Sequence, residues 1–480
     1  MTEGGCFLHN EASMFARHHL VLGRTGPWSF FPAVTVSEHD RTGHMYLVGK
    51  TGKGKSKLLA SLIFQDIAAG RGVAVIDPHS DLVHDVLALL HNAGILEREQ
   101  NRIIYLNPAE HEYVIPFNVL ATPGDPYEIA QSVIEAFRRT WPASLSTAPH
   151  FENIMLHALL VLIQAKLTLV DLPQFLTEFT FREDCLQQVN VPELTSYFHA
   201  RFDAWSAKDP RLLESSLNKI TALTLNPHLK LLLVQKENRL NFRTIMDAGK
   251  VLLCDFGSCG DESQRLVGNL VTTGIEQAVF TRHDTDKRRP FYLYIDEFQD
   301  FVADGADRGG VKTFSKILSG ARKYGLSLCV ANQNLSQLSE RMKGAIMGNV
   351  WTKVIFGVSE PDAFEFARYI GLGSVDPNAI KEEAKTETQH PIFQPLPEQW
   401  NALAAALANQ KPREAIVRTH EGMTKKMWAA RVDTTAPAKA LREAYFASLQ
   451  RHGYRCEGFT SDLRRLSDHD IVSHVSAFYE

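Results

Sequence analysis

Apolar positions along this chain follow two rhythms that alternate. Up to about residue 106 they come in short, mostly β-branched runs separated by helical spacing. Leu20-Val21-Leu22-Gly23-Arg24 and Ala33-Val34-Thr35-Val36 read as strands, followed by Tyr46-Leu47-Val48, Gly72 to Asp77 and Arg102 to Leu106. Helical patterns open at Lys57-Leu58-Leu59-Ala60 and run from Leu82 to His91. Strands that alternate with helices predict a parallel sheet covered on both faces. Near Pro126 the rhythm changes. Ala130, Val133, Ile134 and Phe137, then Ile154, Ala158, Val161 and Leu162, then Leu212, Leu217, Ile220 and Leu223 keep helical spacing. Prolines 142, 149, 173, 192, 210 and 227 punctuate them, so 126–238 predicts an all-α insertion of roughly five to seven helices at the usual helix length.

The strand rhythm returns at Lys250 to Asp255, ahead of a helix from about Glu262 to Arg282 and a polar stretch, Arg282 to Pro290, expected as a surface loop. Pro290 to Ile295 and Leu326 to Ala331 read as strands flanking a helix over 311–323. Val350 to Phe356 is a further strand and Pro361 to Ile370 a helix. Residues 373–398 read as irregular, 415–418 with 428–431 as a hairpin, and 437–452 as a tail helix. The expected domains are 1–125 and 239–435 as two halves of one α/β unit, 126–238 as the insertion and 436–480 as a tail.

Two stretches carry the chemistry. The first runs from the strand Tyr46-Leu47-Val48 through Gly49-Lys50-Thr51-Gly52-Lys53-Gly54 to Lys55-Ser56-Lys57 at a helix start. Strand, glycine-rich turn and helix in this order form a P-loop. The glycines let successive N–H groups face phosphate oxygens, and the helix aims its positive end at the same anion. Lys55 is expected on the β- and γ-phosphates and the Ser56 hydroxyl on Mg²⁺. The second is Tyr294-Ile295-Asp296-Glu297, an apolar strand delivering two acids at its end. Asp296 is expected to hold the metal and Glu297 to polarise the attacking water. Asn332-Gln333 places amides at the tip of a strand expected beside the P-loop strand. Asp77, His79 and Asp81 close a strand also expected beside it, where they would line the nucleotide or channel side; the alternative is that Ser80 or Asp81 caps the next helix.

Composition adds bounds. At 480 residues the chain exceeds one ordinary core. Its net charge of −4 does not advertise nucleic acid in bulk, so any such partner needs a local basic surface. The six cysteines form no metal-ligand spacing, which fits a reducing cytoplasm. The apolar segment Ile154 to Val170 contains His157 and Lys166 and is short for a membrane span. Lys287-Arg288-Arg289 reads as a solvated loop.

These residues together resemble the HerA/FtsK superfamily, and within it conjugative coupling proteins of the TraD/TraG type. The resemblance rests on Tyr46 to Ser56, Val75 to Asp81, Tyr294 to Phe298, Ala321-Arg322-Lys323-Tyr324-Gly325 and Asn332-Gln333. It implies a RecA-like P-loop NTPase with a central, mostly parallel sheet and an inserted all-α domain. It implies a ring, a hexamer, that spends ATP with Mg²⁺ to move DNA. Gln333 would sense the γ-phosphate, and Arg322 would enter the neighbouring subunit's site as an arginine finger. The membrane helices usual in coupling proteins have no counterpart here, which points to a cytoplasmic relative. The competing expectations are an ATP-gated scaffold recruiting a nuclease, relaxase or membrane partner, and a motor on protein chains.

Overall fold

A computed structural model describes residues 19–455 except 111–112, 146–148, 207–216, 222–224, 302–313, 315–316, 372–379, 383–391 and 394. Residues 311–313 and 315–316 of the expected helix 311–323, most of 373–398, and the first eighteen and last twenty-five residues therefore lie outside the described residues.

The chain divides into two compact units, each drawn from three segments. The first (1–103, 131–149 and 242–442) is built on one sheet. The strands of that sheet are β1 (His19–Arg24), β2 (Ala33–Ser37), β3 (Met45–Val48), β4 (Gly72–Asp77), β5 (Ile103–Leu106), of which only Ile103 belongs to this unit, β6 (Val251–Asp255), β7 (Phe291–Ile295), β8 (Leu326–Asn332), β9 (Thr352–Ile355), β10 (Glu414–Arg418) and β11 (Thr424–Ala429). Their order across the sheet is β2-β1-β11-β10-β9-β3-β8-β7-β4-β6-β5. The pairings from β9 through β3, β8, β7 and β4 to β6 are parallel. The expected hairpin near 415–431 is the antiparallel pair β10–β11, through which β1 and β2 extend the sheet. Strands β3, β4, β6, β7 and β8 are buried along their whole length, so they read as continuous apolar runs rather than alternating ones.

Two expectations are corrected. Strand β4 does not neighbour β3: β8 and β7, both later in the chain, intervene. Sequential strands are neighbours only about two-thirds of the time, and here the crossover inserts two strands. Nor is Arg282–Pro290 a solvated loop throughout. The Arg282 side chain is fully buried and donates to Asp247 (3.0 Å), Tyr324 O (2.8 Å) and Arg289 O (2.7 Å). Arg288 reaches Arg282 O and Lys323 O, while Arg289 reaches Ala248 O and Gly70 O. Carbonyls at the ends of neighbouring elements need donors, and guanidinium groups supply several at once.

Against β7, a buried network ties the unit together. Asp66 on helix α1 (Lys55–Ala68) accepts from both terminal nitrogens of Arg41, from Arg71 and from the Tyr294 hydroxyl, at 2.5–3.1 Å. Arg41 also lies 3.6 Å from the centre of the Tyr292 ring. Burial works against the Arg41 charge, but Asp66 outweighs it and holds the guanidinium firmly protonated.

The second unit (104–130, 150–241 and 443–480) is mainly helical. In it Phe198 packs edge-on against Phe175, Tyr197 and Phe202. The buried Arg182 is held by Asp203 and by the carbonyls of Phe175 and Leu176. The expected tail helix is present as Ala438–His452, and its Ser448 hydroxyl accepts from the Tyr105 amide at 2.9 Å. No helix among the described residues is long and apolar enough to cross a membrane.

Candidate nucleotide-binding site

The parallel strands converge on one edge. Val48 at the end of β3 is level with Asn332 at the end of β8, and Ile295 on β7 is level with Val330 and Ile76. The turn after β3 therefore sits beside the residues that follow β7 and β8.

That turn depends on glycine. Gly52 and Gly54 have φ of 78° and 104°, a region that side chains with a Cβ rarely enter. The Lys50 amide donates to Gly357 O (2.9 Å), the Lys53 amide to Lys50 O (3.2 Å) and the Gly49 amide to Asn332 O (3.4 Å). Gly54 then caps α1, so the helix starts at Lys55 with its N–H groups facing the turn. The lysines two positions to either side of Lys55 are engaged elsewhere. Lys53 Nζ donates to Gln410 O (2.6 Å), and Lys57 Nζ to Asp85 (2.8 Å) and Thr434 (2.7 Å).

Lys55 points into the site and is only 6% exposed. Its ammonium lies 2.8 Å from Glu297 Oε1 and 3.3 Å from Asp296 Oδ1. The Ser56 hydroxyl donates to Asp296 Oδ2 at 3.4 Å. Gln333 Nε2 donates to Glu297 Oε1 (3.1 Å), and the Thr51 hydroxyl to Gln333 Oε1 (3.3 Å). Residues from three separate stretches thus form one hydrogen-bonded cluster. Gln299, which the sequence reading passed over, completes it by donating to Glu297 Oε2 at 2.9 Å. Its signal was its place two residues beyond an acid already singled out. Burial pushes the Glu297 carboxyl up, but Lys55, with hydrogen bonds from Lys55, Gln299 and Gln333, outweighs it and holds the group below its usual range. Glu297 itself has φ of 44°, uncommon for a residue with a side chain.

Beside this cluster, Asp77 caps helix α2 (Asp81–Asn92), accepting from the amides of His79 and Val83, each at 2.9 Å. Neither Ser80 nor Asp81 takes that role. Ser80 sits at the cap position with φ of 68°, and its hydroxyl donates to Asp255 at 2.5 Å. Burial, with Asp255 and Asp296 nearby, raises the Asp77 carboxyl to about 6 against its two amide donors.

Arg322 is not part of the cluster. It sits in the 3₁₀ turn Ala321–Tyr324 just before β8, whereas Gln333 follows the end of the same strand. Seven extended residues at ~3.3 Å each put about 20 Å between them. Arg322 cannot reach the Lys55 of its own chain.

The fold and the cluster of turn, lysine, serine and paired acids define a P-loop NTPase. The family model described as "Helicase HerA, central domain" matches residues 37–275, and that described as "TraM recognition site of TraD and TraG" matches 290–396. The chain is a P-loop ATPase of the HerA/FtsK type that resembles conjugative coupling proteins. Among solved structures, the bacterial conjugative coupling protein TrwBΔN70 in its unbound form is 17% identical over 91% of this chain and 94% of its own, with a TM-score of 0.62. TrwB in complex with ADP and Mg²⁺ is 16% identical over 91% and 95%, at 0.61. VirB4 of Thermoanaerobacter pseudethanolicus is 15% identical over 88% and 98%, at 0.55. At such identities the likeness is one of fold, and the fold is RecA-like. No curated protein matches the chain.

Proposed function

We propose that this chain is an ATP-driven DNA translocase that works as a ring, a hexamer, with active sites shared between subunits. The observation that carries the reading is the division of parts in one chain. Lys55, Ser56, Asp296, Glu297 and Gln333 meet at one edge of the sheet, and Arg322 stands at the other. DNA as the cargo is supported by the HerA helicase model and by the conjugative coupling proteins of like fold.

In the cluster as it stands, the acids neutralise the Lys55 ammonium. Binding ATP transfers Lys55 to the β- and γ-phosphate oxygens, and the P-loop amides hold the remaining charge. The hard oxygen donors Ser56 Oγ and Asp296, 3.4 Å apart, suit Mg²⁺. When bound, Mg²⁺ offsets the phosphate charge as the transferred group develops it. Glu297, released from Lys55, keeps Gln299 and Gln333 as donors that favour its ionised form, and accepts a proton from water. Gln333 orients that water and the γ-phosphate. Arg322 of the adjacent subunit contributes roughly 10³–10⁵ in rate.

The test is ATP hydrolysis by the purified protein with and without single- and double-stranded DNA. DNA should stimulate it, and Lys55→Ala should abolish it. Equal rates with and without either DNA would remove the translocase reading. The net charge of −4 favours a second reading, an ATP-gated scaffold that recruits a nuclease, relaxase or membrane partner. It expects nucleotide-dependent binding without DNA-stimulated turnover.

A further inference from the structure

We infer that Trp351 is a positioning residue for Arg322, holding the guanidinium in the pose in which it enters the neighbouring site. This rests on the proposal that Arg322 acts there. Arg322 is exposed, and its guanidinium carbon lies 4.2 Å from the centre of the Trp351 ring. Among the described residues no carboxylate pairs with it. An arginine on an aromatic face keeps its full charge and its donors for an incoming anion, while the ring takes up much of its freedom. A carboxylate partner would have neutralised it.

The platform is itself built in. The Trp351 amide donates to Gly43 O at 2.7 Å. A Cβ on Gly43 would stand 2.0 Å from Trp351 Cδ2, so only glycine leaves the indole its place. The His420 ring stacks on the indole at 4.6 Å and 22°, and Asp40 holds His420 Nδ1 at 3.0 Å. The His39 ring packs beside it at 5.5 Å. The short helix Glu38–Thr42, Gly43 and the turn carrying His420 converge on one ring, and that ring carries Arg322.

The experiment uses Trp351→Leu, which keeps apolar bulk without a π face, and Trp351→Phe, which restores one. Gly43→Ala pushes the indole aside and serves as the second variant should Trp351→Leu fail to fold, as judged by thermal unfolding. Trp351→Leu and Gly43→Ala should lower kcat about fivefold, the scale of one exposed cation–π contact, with KM for ATP unchanged. Trp351→Phe should stay near wild type. In mixed rings, Trp351→Leu subunits should regain activity with Lys55→Ala subunits, whose arginine and platform are intact, and gain none with Arg322→Ala subunits. Wild-type kcat in Trp351→Leu, failure of Trp351→Phe to restore activity, or recovery with Arg322→Ala would overturn the platform. Failure of Arg322→Ala and Lys55→Ala to restore one another would instead bring down the shared-site reading on which it rests.

Discussion

Replacing Glu297 by glutamine should tighten ATP binding while nearly stopping turnover. Lys55 lies 2.8 Å from the Glu297 carboxylate, both side chains 7% exposed, so incoming phosphate must displace an internal anion. A carboxamide still accepts a hydrogen bond but carries no charge. Hydrogen bonds to charged groups contribute about 1.5–3 kcal/mol and neutral ones about 0.5–1.5, so the substitution relieves roughly 1–2 kcal/mol of competition. That corresponds to a Kd for ATP about 5- to 30-fold lower. The new amide also opposes the N–H groups of Gln333 and Gln299, which now donate to the carboxylate at 3.1 and 2.9 Å, further loosening the arrangement that holds Lys55 back. Loss of the base should cost about 10²–10⁴ in hydrolysis. A fluorescent ATP analogue titrated with Mg²⁺ reads the affinity, and steady-state phosphate release reads the turnover. Unchanged or weaker affinity in a fully folded Glu297→Gln protein would refute the idea that Lys55 is held by its own acids.

Two further outcomes concern stability. Asp77 has its carboxyl raised from 3.8 to about 6, chiefly by burial. A raised acid favours folding while protonated in the native state, and that contribution is lost as pH rises from about 4 through 6. Relative to wild type, Asp77→Asn should therefore gain on the order of 3 kcal/mol between pH 4 and pH 7, read from urea midpoints across that range; a constant difference would contradict it. Asp66→Asn leaves Arg41 buried without a counter-charge and should cost about 3–5 kcal/mol in urea unfolding, whereas a loss below 1 kcal/mol would show that the network contributes little.

The sequence disclosed the elements and the chemistry better than their arrangement. Apolar runs ending in Gly49 or in Asp296-Glu297 announced strand tips with polar freight, because a fully buried parallel strand has no other place for charge. It could not disclose that β8 and β7 pass between β3 and β4, since strand order is fixed by long-range packing that leaves no local mark. The same holds for Arg282, whose buried role depends on the Asp247 carboxylate and on the carbonyls of Tyr324 and Arg289. Asp77 supplies the capping hydrogen bonds expected of Ser80 or Asp81, while Ser80, at the cap position with φ of 68°, donates to Asp255 instead. Gln299 was missed because its one mark, a place two residues past Glu297, matches no motif.

Strand β8 is hydrogen-bonded on both flanks and buried throughout, so it is a stiff bar rather than a tether. At one end lies the amide that touches Glu297 of its own subunit, and at the other the guanidinium that, on the proposed reading, is offered to the next. Within a closed ring each bar would touch two different fuel molecules, and one that shifts at its first end has no slack in which to lose the movement. Firing order around such a circle would then be a matter of carpentry, set by the length of seven residues.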